Sequence, residues 1–113
     1  NFLDGTVTNG AVEIPGLQSS VAPPVTLPPD GTPVILGVRP EHLLIDPDGD
    51  SLTVELSEAL GGVSYAYLTS ATGEKLIVEE RGDERTQSGA RVGLTFDANR
   101  AMLFDEQTGQ RIR

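Results

Sequence analysis

With 113 residues and a formal charge of −9, the chain has the length of one domain that buries roughly two-thirds of its unfolded surface. The acidity argues against nucleic acid and anionic membrane surfaces as partners, since phosphate binding needs a basic face. Cysteine is absent, which rules out disulfides and thiolate metal sites, and 13 Gly with 8 Pro against 37% hydrophobic residues predict many short elements joined by turns.

The chain opens at Asn1-Phe2-Leu3 with no initiator, its one methionine being Met102, and so reads as a domain cut from a longer protein. No apolar run approaches membrane-spanning length, and the residues before the first strand are not expected to be a signal peptide. Thr6-Val7-Thr8, Asn9-Gly10 and Ala11 to Ile14 form a hairpin, because Asn-Gly supplies the positive φ values of a two-residue type I′ turn. From Pro15 to Pro33 the chain holds six of its eight prolines. That segment is expected to be a surface excursion with at most a short edge strand near Val21 to Val25.

Val34-Ile35-Leu36 reads as a buried strand running to Val38. Pro40 then fixes φ and removes a donor, while Arg39 before it is pushed out of the α region. The strand must bend there, and Glu41-His42-Leu43 is predicted to form one helical turn with proline at its first position. Asp46-Pro47-Asp48-Gly49-Asp50 is a turn. Leu52, Val54 and Leu56 alternate with Thr53 and Glu55 as a half-buried strand. Gly61-Gly62 breaks the pattern, and Val63, Tyr65 and Tyr67 resume it. Ala71-Thr72-Gly73-Glu74 turns the chain into Lys75 to Glu79, a polar stretch runs from Glu80 to Gly89, and Val92, Leu94 and Phe96 precede a last short strand at Met102-Leu103-Phe104. No window shows helical periodicity. Six to eight short strands predict an all-β fold, best matched by a five-stranded OB-like Greek-key barrel of antiparallel strands with an added hairpin, in a single domain over residues 1–113.

Several chemistries fail on particular residues. The only lysine, Lys75, lies between Glu74 and Leu76, so no phosphate-binding Gly-Lys-Ser/Thr exists. Gly62-Val63-Ser64-Tyr65-Ala66 lacks the closing glycine of an esterase elbow. One histidine cannot build a multi-histidine metal site. Counted as a calcium loop from Asp46, Asp48 and Asp50, the sixth position is Ser51 and the twelfth Ser57, where glycine and a bidentate glutamate belong. A tight acidic turn is the simpler account. The arginines at 81, 85, 91, 100, 111 and 113 are interleaved with Glu79, Glu80, Asp83 and Glu84, a solvated mixed surface rather than an anion patch.

What remains is the bend Gly37-Val38-Arg39-Pro40-Glu41-His42-Leu43. Arg39 and Glu41 are candidates for an ion pair that clamps it, and His42, whose charge changes near neutrality, for a hydrogen-bonded structural residue or a pH-sensitive one. A structural clamp is favoured over ligand contact.

The bend resembles a signature of the TOBE domain, the accessory C-terminal domain in ATP-binding subunits of bacterial sugar ABC importers of the maltose and glycerol-phosphate type. Asn1 to Gly5 is similar to the entry into that domain, and Glu58-Ala59-Leu60-Gly61 to its Glu-x-Leu-Gly at the end of a central strand. Arg91 to Asp97 and Met102 to Asp105, joined by the Asp97-Ala98-Asn99-Arg100 turn, resemble its closing strands, and Thr108-Gly109 with Arg111-Ile112 its ending. The resemblance implies a non-catalytic domain without cofactor, with ATP and Mg bound upstream of Asn1. It implies a location on the inner face of the plasma membrane, peripheral and cytoplasmic, through the parent transporter. The implied partners are a second copy of the subunit, the membrane subunits and, in some members, a regulatory protein or metabolite. Phe2, Gly37 and Glu58 match positions tied to that regulation, alongside the signature residues Gly37, Arg39, Pro40, Glu41 and His42. A second reading stays open: a small-ligand module for an oxyanion or sugar at the bend, against which stand the acidity and the 4% aromatic content.

Overall fold

The structure, a computed structural model, describes residues 1–81 and 85–113. Asp83 and Glu84, two of the acids expected among the arginines, lie outside the described residues. Eleven strands are present among those described, more than the six to eight expected: β1 Phe2–Thr8, β2 Ala11–Ile14, β3 Ser19–Val21, β4 Pro33–Gly37, β5 Leu44–Asp46, β6 Leu52–Ala59, β7 Val63–Thr69, β8 Lys75–Arg81, β9 Arg91–Thr95, β10 Met102–Asp105 and β11 Arg111–Ile112. The added element is larger than a hairpin. It is a six-stranded antiparallel sheet in the order β11-β10-β4-β1-β2-β3. The other sheet, β5-β9-β6-β7-β8, has five strands, and β5 returns against β8 as an OB-like barrel requires. No helix among the described residues is long and apolar enough to cross a membrane.

The first hairpin forms as predicted, with Thr8 opposite Ala11 and positive φ at Asn9 (51°) and Gly10 (79°). Alternation makes β1 one-sided: Leu3, Gly5 and Val7 face inward while the residues between them are exposed. In the excursion, Pro15–Leu17 is a 3₁₀ turn and the edge strand is Ser19–Val21, upstream of the predicted position. Pro23 and Pro24 cannot donate to a ladder, so pairing stops before them. β4 lies between β1 and β10, with Leu36 opposite both Leu3 and Leu103.

Two strands turn a different face from the one their apolar residues suggest. On β7 the inward residues are Ser64, Ala66 and Leu68, leaving Val63, Tyr65 and Tyr67 half-buried on the outside. On β6, Val54 pairs with Leu68 and Leu56 with Tyr67, so Glu55 has no partner and forms a bulge. A single extra residue inverts the alternation downstream. Leu56 is therefore 52% exposed, although Leu52 and Val54 are fully buried.

One apolar core runs through both sheets, with Leu3, Ile14, Leu36 and Leu103 from the first and Leu52, Val54, Leu68, Leu76 and Val78 from the second. The Asp46 turn closes as an Asx turn, Asp46 Oδ1 accepting from the Asp48 amide at 3.0 Å. It packs onto β9 so closely that a Cβ at Gly49 would stand 2.5 Å from the Gly93 backbone.

Candidate functional site

Residues that the sequence singled out fall into two places, the bend and an outward apolar groove. The bend carries the chain from one sheet to the other. Arg39 is extended (φ −70°, ψ 149°), and Pro40–His42 forms a 3₁₀ turn with proline first, as predicted. Its clamp is backbone: the His42 amide donates to the Arg39 carbonyl at 3.0 Å, and the Val38 amide to the Asn1 carbonyl at 3.0 Å. The turn packs against β8. The expected Arg39–Glu41 ion pair does not form. Both side chains are exposed, where pairing gains little against the entropy of holding two long side chains. His42 is half-buried with its Nδ1 enclosed and no hydrogen-bond partner among the described residues. Cation, anion and imidazole thus do not converge.

All seven arginines are exposed, and Arg81 pairs with Glu79 at 3.5 Å. Among the described residues no group of three His, Asp or Glu side chains is arranged to hold a metal ion.

Phe2 lines the groove, and Gly37 lies behind its ring. Phe2 opens β1 with 63% of its surface exposed, and its ring packs edge-on against Phe104 of β10 with centroids 6.2 Å apart. Gly37 lies opposite both Phe2 and Met102 in the ladders. A Cβ there would stand 3.2 Å from Phe104 and 3.4 Å from Phe2, so even alanine obliges the rings to give way. Across from Phe2, the barrel presents Leu56, Tyr67 and Ile77. The bulge that expels Leu56 and the outward turn of Tyr67 create this wall, and together with Phe2 they line an open groove of about 660 Å³. Its polar edge is a short relay: the Lys75 ammonium donates to Thr69 Oγ1, and Thr69 Oγ1 donates to Glu55, both at 2.9 Å.

Glu58 stands farther along the same outer face, exposed, with Tyr65 opposite it. The Tyr65 hydroxyl donates to Glu79 Oε1 at 3.3 Å, and the Glu79 carboxylate raises this phenol above its ordinary value. Leu56, Tyr67 and Ile77 escaped the sequence reading because their alternation reads as core. Glu55 shows no signal of a bulge in isolation.

Comparison with known families decides the fold class. The family model described as the TOBE domain matches residues 36–104, and the MalK OB fold domain matches residues 1–43. The chain belongs to the TOBE domain family. Relatives of this TOBE domain include the lactose transport ATP-binding protein LacK of Rhizobium radiobacter, 38% identical over 96% of the chain and 31% of the relative. The sn-glycerol-3-phosphate import ATP-binding protein UgpC of Ruegeria pomeroyi is 36% identical over 99% of the chain and 31% of the relative. UgpC of Cereibacter sphaeroides is 32% identical over 99% and 32%. The chain thus spans about a third of the length of these curated relatives.

Proposed function

We propose that this TOBE domain is a non-catalytic regulatory and dimerisation module of an ATP-binding subunit in a carbohydrate ABC importer. What carries the reading is the end-to-end match of the chain to one third of proteins named for ATP-binding in lactose and glycerol-phosphate transport. ATP and Mg are then held by the remaining two thirds, and the whole subunit works at the cytoplasmic face of the membrane with its membrane subunits and a second copy of itself.

The mechanism is allosteric. A rigid two-sheet scaffold presents an outer face, and contacts made there bias the catalytic parts between open and closed arrangements. Phe2 and Gly37 shape the groove and Glu58 supplies charge beyond it, so a regulatory partner has both apolar and acidic footholds.

The test uses the intact subunit in its transporter. Glu58→Lys and Gly37→Val are expected to shift regulation or dimer opening by about fivefold or more, within the usual range of coupling energies, while ATP affinity stays near wild type. Collapse of ATP binding in either variant overturns the assignment. Calorimetry with maltose, glycerol phosphate, sulfate and molybdate addresses the competing ligand-module reading, which saturable binding abolished by Arg39→Ala would put first.

A further inference from the structure

Strands β1 and β8 belong to different sheets, and no backbone–backbone bond joins them among the described residues. Side chains take the place of the ladder. The Asn1 amide group meets the Ile77 peptide as a strand partner would: Nδ2 donates to the Ile77 carbonyl at 2.7 Å, and the Ile77 amide donates to Oδ1 at 2.8 Å. Three residues later on β1, and three earlier in the chain near the start of β8, the Asp4 amide donates to Glu74 Oε2 at 2.8 Å. The pairs 1·77 and 4·74 keep one register.

Glu74 holds more than Asp4. Its Oε1 accepts from Ser70 Oγ at 2.6 Å and from Thr72 Oγ1, and the neighbouring Ala71 amide donates to the Gly16 carbonyl at 3.0 Å. Ser70 is only 6% exposed, and a Cβ on Gly16 would stand 2.5 Å from Glu74 Oε1. One carboxylate therefore collects donors from β1 and from its own turn, pressed against the 3₁₀ turn at Pro15–Leu17.

We infer that the β1–β8 seam is an acid-sensitive clasp, which opens on protonation of Glu74 while both sheets keep their ladders. A carboxylate accepts these hydrogen bonds with its full charge, whereas a carboxylic acid accepts them more weakly and must place its own hydrogen on one of the hydroxyls, which then stops donating to it. The Asp4 amide cannot rotate away. The other titratable groups on the elements packed here are Asp4, exposed on β1, and Lys75, which engages Thr69; the turn at Pro15–Leu17 carries none. Phe2 stands on one side of the seam and Ile77 with Tyr67 on the other, so opening the clasp takes the groove apart. For the groove's role this rests on the function proposed above. The clasp itself is tested separately, so either can fail alone.

The experiment follows amide hydrogen exchange in the labelled 113-residue chain from pH 7 to pH 3, corrected for intrinsic rates. The amides of Asp4, Ala71 and Ile77 are expected to lose protection at least about tenfold on acidification while amides inside the ladders hold theirs, as sub-global opening requires. Glu74→Gln is expected to open the same three at neutral pH and to abolish their pH dependence. Asn1→Ala, a substitution just before β1 that leaves the backbone bond from Val38 to Asn1 in place, is expected to release the Ile77 amide alone. Loss of protection at the seam only together with the ladders, an unchanged pH profile in Glu74→Gln, or an unaltered Ile77 amide in Asn1→Ala each overturns the clasp.

Discussion

At the scale of single residues, this domain is tightest where backbone meets backbone. The Gly49–Gly93 approach leaves no space for a methyl group, since the atoms it would strike belong to a strand. Gly49→Ala is expected to destabilise the domain by about 1–3 kcal/mol, the usual cost of overpacking, as urea denaturation would show. Gly37 is a different case, because its neighbours are two aromatic rings that can tilt. Gly37→Ala is expected to cost under about 1 kcal/mol yet to move the ring resonances of Phe2 and Phe104. Glu74 adds a pH dependence. Partial burial alone would raise its carboxyl, but the hydrogen bonds from Ser70, Thr72 and Asp4 outweigh this and hold it below the ordinary carboxylate value. A depressed acid binds protons more weakly folded than unfolded, so its stabilisation is complete above the ordinary carboxylate range and is lost as pH falls through the lower folded value. Urea midpoints measured from pH 7 to pH 3 should fall, and less so in Glu74→Gln.

Among the elements, legibility followed local chemistry. Asn9-Gly10, the Arg39-Pro40 bend and the Asp46 turn each announce their geometry through residue types that permit few alternatives, and each stands where expected. Facing was harder to read. On β7 the tyrosines look like the buried set, but tyrosines keep a polar tip, and the smaller Ser64 and Ala66 fit the interior against β6. The bulge at Glu55 left no mark in the sequence, since it arises from pairing with β7 rather than from any residue's own preference. Those two misreadings account for the apolar groove going unseen, whereas Phe2, Gly37 and Glu58 were singled out through family resemblance. Deleting Glu55 tests the bulge directly. Val54 and Leu56 would become neighbours and keep their partners Leu68 and Tyr67, so the ladder would run on without a bulge. Leu56 would stay outward, and stability is expected to change by under about 1 kcal/mol. A loss of about 2–3 kcal/mol for each apolar side chain in chemical denaturation would mean that the residues after Val54 change faces instead.

Viewed whole, the molecule measures 43 × 23 × 21 Å, twice as long as it is wide, with an unbroken core between its sheets. Continuity of that core predicts one cooperative thermal transition, calorimetric and van't Hoff enthalpies agreeing, despite the seam that side chains hold. Two separate transitions would show that the sheets are independent bodies.

The borders of the larger sheet carry a last implication. It ends on β3 and β11, strands of three and two residues, and Pro23 and Pro24 lie just beyond the former. Rails this short give a neighbouring molecule almost nothing to zip onto, which protects a crowded solution from strand-by-strand polymerisation. Replacing both prolines with valine would extend the rail, and fibrils detected by thioflavin fluorescence would then be expected where the parent chain forms none.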